Sequence, residues 1–513
     1  MVMKKILLLA LVVVALISKA QNPKLIKTVQ GFAFEPNNDK QESWINNKWN
    51  GLFFYQGKGT PTKLCVTDGT DIGTKNIADI GSGGIQAILP AKDFVYIITS
   101  QFISFSPYTY QYSIYKTDGT AAGTSLVFTP PNAIGLSNAN QFCSDANTTQ
   151  NYCLDGTTNI LYFNGYDATN GNELWRTDGT AAGTFMLKDI KTGTGGSYPW
   201  GFCKIGNDVF FNCAEVGFER KLWKTDGTTA GTVQVPVAEP FYIVNGDIGK
   251  VGNKMIFYAH NTVNGYETYV SDGTAAGTFM LKDINPSSGN SYLNNKQEVT
   301  LKSNSKYCFF VAQNGVDTSL WRTDGTTLGT IKLTNGESVY NGVSSGGYSD
   351  VNENGLWLIQ YNTSGSGNAE KLFFTDGTIG NTYLVASNLS YAQKVKIYKN
   401  AAWFQARNTG SVANVEVWRS AGNQASTNLA LDVAPEIAPS PSNIPYSSTP
   451  INFFVNNNKL YFFAKTWLGN MGLYEYNGDF TFNGSLAGGR WKDSANWNSM
   501  MPPGITDTVF INT

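Results

Sequence analysis

The chain carries a single histidine, His260, and only six arginines, and these scarcities exclude several kinds of chemistry. One imidazole cannot build a multi-histidine metal site. A Ser-His-Asp triad would rest wholly on His260, and no G-x-S-x-G elbow accompanies it. A lone histidine after the apolar run "MIFYA" reads as a packing or surface residue. Arg176, Arg322 and Arg419 share one repeat position, leaving Arg220, Arg407 and Arg490 as too few for a three-arginine carboxylate clamp. Charge is also scarce: 15% of residues are charged and the net charge is −1, which argues against electrostatic binding of nucleic acid. There is no C-x-x-C pair, no phosphate-cradling G-x-x-x-x-G-K-[ST] loop and no D-x-D-x-D-G calcium loop, so no metal or cofactor is expected. Past the N-terminus no apolar run is long enough to span a membrane.

What the chain does have is turn formers and rings: 53 glycines and 13% aromatic residues, a composition that suggests strands. The N-terminus reads as a secretory signal peptide, residues 1–20. Lys4 and Lys5 precede an apolar run from Ile6 to Ile17, and Ser18 and Ala20 supply small residues before a cleavage point ahead of Gln21. The mature protein is therefore expected outside the cytoplasm, secreted or at a bacterial cell surface, as a monomer. Six cysteines fit export without demanding a disulfide framework. Cys143 and Cys153 flank a polar loop and are candidates to staple it; Cys203 and Cys213 flank a hairpin-like segment and are candidates for a cross-strand pair.

The organising feature is a repeat. "ELWRTDGTAAGTFMLKDI" (Glu173–Ile190) returns as "ETYVSDGTAAGTFMLKDI" (Glu267–Ile284). Aligned on its aspartate, the motif occurs at Asp68, Asp118, Asp178, Asp226, Asp272, Asp324 and Asp376. Two worn copies follow, with Ala421 and Asn477 in the aspartate position. The spacings run from 45 to 60 residues. Each unit holds a lead-in segment, an aromatic run such as "LYFNGY", the "LW-TDGT" strand and a strand like "GTFMLKDI", which makes a four-stranded antiparallel meander. Neighbours such as Leu174 and Trp175 must point to opposite faces, so each sheet needs cover on both sides. Sheets stacked around an axis provide that cover. The expected fold is all-β: a single large β-propeller of eight or nine four-stranded blades over residues 21–480. Pro23–Val29 resembles "FMLKDI" and is expected to help close the ring by completing the last blade.

The aspartates read as turn residues. Asp accepts from backbone N–H groups just ahead, Gly takes positive φ, and the Thr hydroxyls tie off the loop. One carboxylate per unit is far short of a calcium shell, and Ala421 shows that the position tolerates loss of the acid. Candidate binding residues lie instead where loops break the repeat: Tyr108, Tyr110 and Tyr112 in "SPYTYQY", and Tyr198 and Trp200 in "SYPWGF". The alternative is that these rings are core.

"ELWRTDGTAAGT", "KLWKTDGTTAGT" and "SLWRTDGTTLGT" resemble the ELWxxDGT repeats of exported bacterial proteins. The resemblance covers roughly residues 50 to 480 and implies propeller blades in secreted or surface proteins, not a defined reaction. After Gly478 the pattern changes. "GRWKDSANWNSMMPPGITDTVFIN" is similar to the opening of β-helix-like stalk segments, so residues 481–513 read as the start of a further β segment. The expected function is a non-catalytic secreted or cell-surface module for glycan or protein adhesion. The alternatives are a secreted carbohydrate-active enzyme or a spacer in a larger surface protein.

Overall fold

The structure, a computed structural model, describes residues 23–28, 48–57, 61–81, 83–105, 108–129, 152–154, 157–216, 219–243, 248–291, 301–334, 349–360, 370–408, 415–431, 433, 447–465, 471–476, 480–482 and 509–511. The signal-peptide segment, Cys143, Asn477, Arg490 and most of the tail lie outside them.

The described chain is all-β, with no α-helix and no helix long and apolar enough to cross a membrane. The third unit shows the pattern. Its strands Tyr152–Leu154, Leu161–Asp167, Gly171–Thr177 and Phe185–Lys188 pair antiparallel in chain order. Four-stranded meanders of this kind recur along the chain, consistent with a propeller. Units seven and eight depart from it by sharing one long strand, Thr382–Tyr398, in a seven-stranded sheet. That strand pairs with Glu370–Thr375 over its first half and with Ala401–Asn408 over its second. Register shifts between Ser390 and Gln393 and between Gln393 and Lys396 mark the passage. In the last unit, Lys24–Thr28 pairs antiparallel with Met471–Tyr476 and supplies the fourth strand. The tail strands Phe480–Phe482 and Val509–Ile511 pair with each other, in parallel, and among the described residues with no other sheet.

The core follows from the two-faced strands. Leu174 packs toward the fourth unit, while its neighbour Trp175 packs against the second. Leu222 and Trp223 divide in the same way, as do Leu320 and Trp321, Leu372 and Phe373, and Val417 and Trp418. In each pair the first residue faces the following unit and the second the preceding one. The buried apolar clusters therefore lie between consecutive units. A further cluster joins the first unit to the last: Phe53, Tyr55 and Cys65 pack on Phe454, Tyr461 and Phe463. The Phe53 and Phe454 rings stack with centroids 3.8 Å apart and 4° between planes. Asn456 Nδ2 also donates to the carbonyl of Gly51 at 2.9 Å.

The cross-strand disulfide expected between Cys203 and Cys213 is not formed. Cys203 is a buried free thiol in the cluster between units four and five, and Cys213 lies in the cluster between units three and four. The sheet itself separates them. Burial pushes the Cys203 thiol up to about 12.

Candidate functional site

The aspartate turn is the most repeated local structure. In the third unit Asp178 Oδ1 accepts from the amide and the hydroxyl of Thr180 at 2.9 and 2.7 Å. Thr180 Oγ1 accepts from Gly183 N, the Thr180 carbonyl accepts from Thr184 Oγ1, and Thr177 Oγ1 meets Thr184 Oγ1 and accepts from Gly179 N. The same bonds to the aspartate recur at Asp68, Asp118, Asp226, Asp272, Asp324 and Asp376. The threonine hydroxyl and amide hold the carboxyls of Asp118, Asp178, Asp226 and Asp272 below the usual range. Among the described residues no group of three metal-capable side chains gathers anywhere. These carboxylates are engaged within their own turns.

A second repeated acid escaped the sequence reading. The glutamate five positions before the aspartate, at Glu173, Glu267 and Glu416, is fully buried. Each accepts from the segment that leads into the next unit. Glu173 takes Ile190 N, Lys191 N and Ser197 Oγ; Glu267 takes Ile284 N and Asn285 N; Glu416 takes Val433 N, Ser448 N and Ser448 Oγ. Glu370, one position earlier in its own unit, takes Ala392 N at 2.7 Å. The glutamates thus latch one unit to the path toward the next. Burial pushes Glu267 and Glu370 up to about 7. Asp283 adds to the rise at Glu267, and Arg407 opposes it at Glu370. A folded pKa above the unfolded value means that the native chain holds protons the unfolded chain has released. The latches therefore favour the fold most below about 4.5, and that preference is lost as pH rises to 7. The expected result is a Tm that falls between pH 5 and pH 8, measured by calorimetry. Glu267→Gln should lower Tm at every pH, because its amide accepts at one oxygen only, and should make the slope shallower. A slope unchanged by that substitution would remove Glu267 from the account.

The structure separates the sequence-chosen rings. Tyr112 is core, 5% exposed between units two and three, so its expected role in binding is corrected. The side chains of Tyr108 and Tyr110 lie outside the described residues, although their backbone belongs to the strand Tyr108–Thr117. Tyr198 and Trp200 stand together at the start of unit four. Tyr198 is 44% exposed and adopts a left-handed backbone with φ 50°. Trp200 sits directly opposite Asn212 in the sheet register. Arg220, on the next strand, donates through Nη1 to the Tyr198 carbonyl at 2.8 Å and to Asn212 Oδ1 at 3.0 Å. Its guanidinium lies 5.9 Å from the Trp200 ring centroid. Burial lowers the Arg220 pKa. Gly201 has φ 64°, and a Cβ there would come within 2.6 Å of Asn212 Nδ2, so only glycine fits.

Beside this group the short strand Tyr242–Ile243 of unit five packs against Glu219–Thr225. It brings up the one histidine. The His260 ring lies between Tyr242 and Tyr266, with centroids 4.6 and 4.5 Å away. His260 Nδ1 is buried without a partner among the described residues. Burial, then a hydrogen bond with Tyr266, raises the Tyr242 pKa. Arg220, read in sequence only as a leftover arginine, thus ties together the Tyr198 backbone, Asn212 and the Trp200 ring.

A cavity of about 410 Å³ lies elsewhere, where the N-terminal strand meets the first turn, lined by Lys24, Asp68, Lys459, Tyr461 and Glu475. Its polar groups satisfy one another: Lys459 and Tyr461 both bond Glu475, at 2.9 and 3.1 Å.

By architecture the chain falls among all-β proteins of repeated four-stranded antiparallel units, consistent with a propeller. No family model matches it, and no curated protein matches it. Among solved structures it is similar to a puromycin-hydrolyzing peptidase of Mycobacterium tuberculosis, at 11% identity and TM-score 0.39, over 75% of this chain and 58% of that one. It is similar to an acylaminoacyl peptidase of Pyrococcus horikoshii, at 10% identity and TM-score 0.35, over 77% and 51%. A third is the β-propeller domain of the Trilobed protease from Pyrococcus furiosus, at 8% identity and TM-score 0.31, over 77% and 93%. The chain spans little more than half the length of the first two. The expectation of a non-catalytic adhesion module is corrected against these neighbours, which are peptidases or a propeller taken from one. At such identities the likeness concerns the fold alone.

Proposed function

We propose that the chain closes as a nine-bladed propeller of the ELWxxDGT type, is exported, and receives peptides at the rim of its fourth and fifth blades. Support for nine blades comes from the cluster that joins the first unit to the last and from the N-terminal strand seated in the last sheet. Export rests on the composition of residues 1–20. The parallel pairing of the two tail strands favours a separate β segment after residue 480.

The observation that carries the peptide reading is the polarity of the rim. Its unpartnered groups at unit four, Trp200 Nε1 and Asn212 Nδ2, are donors, and Arg220 beside them has donors only. Sugars present hydroxyls that ask for acceptors as well. A peptide presents carbonyl and carboxylate oxygens, with apolar side chains that suit the wall of Trp200, Tyr242 and Tyr266. The test is equilibrium dialysis of the purified mature chain against a tryptic digest of casein and, separately, a digest of mixed polysaccharides. Peptides should be retained, and Tyr242→Ala with Tyr266→Ala should reduce their retention at least about tenfold, as loss of aromatic anchors does. Retention of oligosaccharides without peptides would overturn the reading.

A further inference from the structure

The buried donors at the start of unit four call for a chemically specific partner. Asn212 is 1% exposed, accepts from Arg220 through Oδ1, and leaves Nδ2 without a partner among the described residues. Trp200, its register partner, leaves its indole Nε1 equally unpartnered and shielded. A buried donor without an acceptor costs roughly 1–3 kcal/mol, so two on facing residues are not a neutral feature. The asparagine belongs to the repeat: in unit three Asn164 stands at the place of Asn212, and its Oδ1 accepts from Asn172 Nδ2 at 3.2 Å. What unit four adds is Arg220 at the place of Asn172, with Trp200, which lies outside the "LW" position, opposite Asn212. Arg220 supplies the third element. Its planar fork is held by two acceptors and lies against the Trp200 ring. Gly201, by lacking a Cβ, lets Asn212 and Ile248 pack against its backbone: a Cβ there would meet Asn212 Nδ2 at 2.6 Å and Ile248 Cδ1 at 2.8 Å.

We propose that Trp200 Nε1, Asn212 Nδ2 and the Arg220 guanidinium form a carboxylate seat, which takes the free α-carboxylate at the C-terminus of a peptide. The inference rests on the peptide reading above and narrows it. A carboxylate offers two oxygens with about four lone-pair sites, matching two neutral donors and one cationic fork, and charge-assisted bonds of this kind are about twice as strong as neutral ones. Glu219, next in sequence to Arg220, pairs with Lys221 at 3.6 Å. Tyr198, the exposed member of the group, stands where the ligand's chain would leave the seat.

The experiment uses probes smaller than a peptide, so that the seat is tested apart from peptide binding. The ¹⁵N-labelled mature chain is titrated with 3-phenylpropionate and with its amide, and the indole N–H resonance of Trp200, assigned by its loss in Trp200→Phe, is followed. The acid should shift that resonance and bind at least about tenfold more tightly than the amide, the discrimination expected when a charged hydrogen bond is lost. Arg220→Gln should abolish the preference, and Arg220→Lys should keep part of it because charge remains while the fork is gone. Unmoved resonances of the other tryptophans will show that each variant keeps the fold. Equal binding of acid and amide, no shift at Trp200, or an undiminished preference in Arg220→Gln would each overturn the seat. Peptide retention in dialysis with equal response to acid and amide would sink the seat and leave the peptide reading standing. An acid-specific shift without peptide retention would do the reverse.

Discussion

Phe454→Ala should destabilise the protein by about 3–5 kcal/mol, as much as Phe310→Ala in the middle of the chain. Both rings are buried, at 1% and 0% exposed. Phe310 packs between units five and six, an ordinary junction between consecutive repeats. Phe454 packs between the last unit and the first. It also stacks on Phe53, an arrangement worth roughly 0.5–1.5 kcal/mol beyond area alone. Equal losses are therefore expected only if the ring is closed in solution. In an open arc Phe454 would lose its partner face to water, and its removal would cost far less than that of Phe310. Urea unfolding of the two variants, read as midpoints at constant m, decides the matter. A Phe454→Ala loss below about 1 kcal/mol, beside a full loss at Phe310, would mean the first and last units do not meet; an ordinary core truncation of this size does not go that low.

Gly183→Ser is the second large effect, expected at about 1–3 kcal/mol, the range for forced overpacking. A Cβ at Gly183 would sit 2.1 Å from Asp178 Oδ1, so either the carboxylate or the backbone must move. Yet two units carry a side chain at that position: the seventh keeps Asp376 beside Asn381, in a short 3-10 turn where Asn381 Nδ2 donates to Asp376 Oδ2 at 2.8 Å, and the eighth places Ser426 there with Ala421 where the aspartate would be. There Ser426 Oγ accepts from the amides of Ala421 and Asn423, and Asn423 Oδ1 accepts from Ser426 N. Thr427 Oγ1 still donates to the Asn423 carbonyl, as Thr184 does to Thr180. The chain has thus solved one turn twice, with serine and asparagine in the roles of aspartate and threonine. Asp178→Ala alone should cost about 1–2 kcal/mol, since Thr180 N loses its acceptor. The triple change Asp178→Ala, Thr180→Asn and Gly183→Ser should recover most of what the separate changes lose. Additive losses in denaturant titrations would show that the two turns are not interchangeable.

That second solution explains how much of the architecture could be read from the chain alone. The four-strand unit, the two-faced Leu-Trp pairs and the turn are all local patterns, fixed by side-chain alternation and by bonds within seven residues. The glutamate latches were present in the same motif, as the first letter of "ELW", but their partners lie 17 to 32 residues away and are mostly backbone amides, which the side-chain pattern does not mark even where the same position, 17 residues on, recurs. Cys203 and Cys213 looked like a cross-strand pair because spacing alone does not fix where the hairpin turns; it turns between Ile205 and Asp208, so Cys203 lies opposite Phe210, and Cys213, an odd number of residues further on, takes the other face. The register shift between Trp200 and Cys203 makes Trp200 the partner of Asn212. The merged strand Thr382–Tyr398 was hidden for a similar reason, since its bulges blur the alternation that marks one strand from the next. Arg220 and His260 were visible only as rare residues. Their neighbours come from other strands, and no spacing in the sequence records that.

The strand Lys24–Thr28 has a further consequence, for the order in which the molecule is assembled. It leaves the ribosome well ahead of its partner: Thr28 pairs with Gly472, 444 residues later (472 − 28). At roughly 5–20 residues per second it must wait tens of seconds with its hydrogen-bonding edge empty. An idle strand of that kind is a template for unwanted association. Lys24 and Lys27 within "KLIKT" are the residues that discourage it, because stacking another strand alongside would bring their charges together. Neutralising both should leave the finished protein nearly as stable while lowering the yield of refolding at high protein concentration.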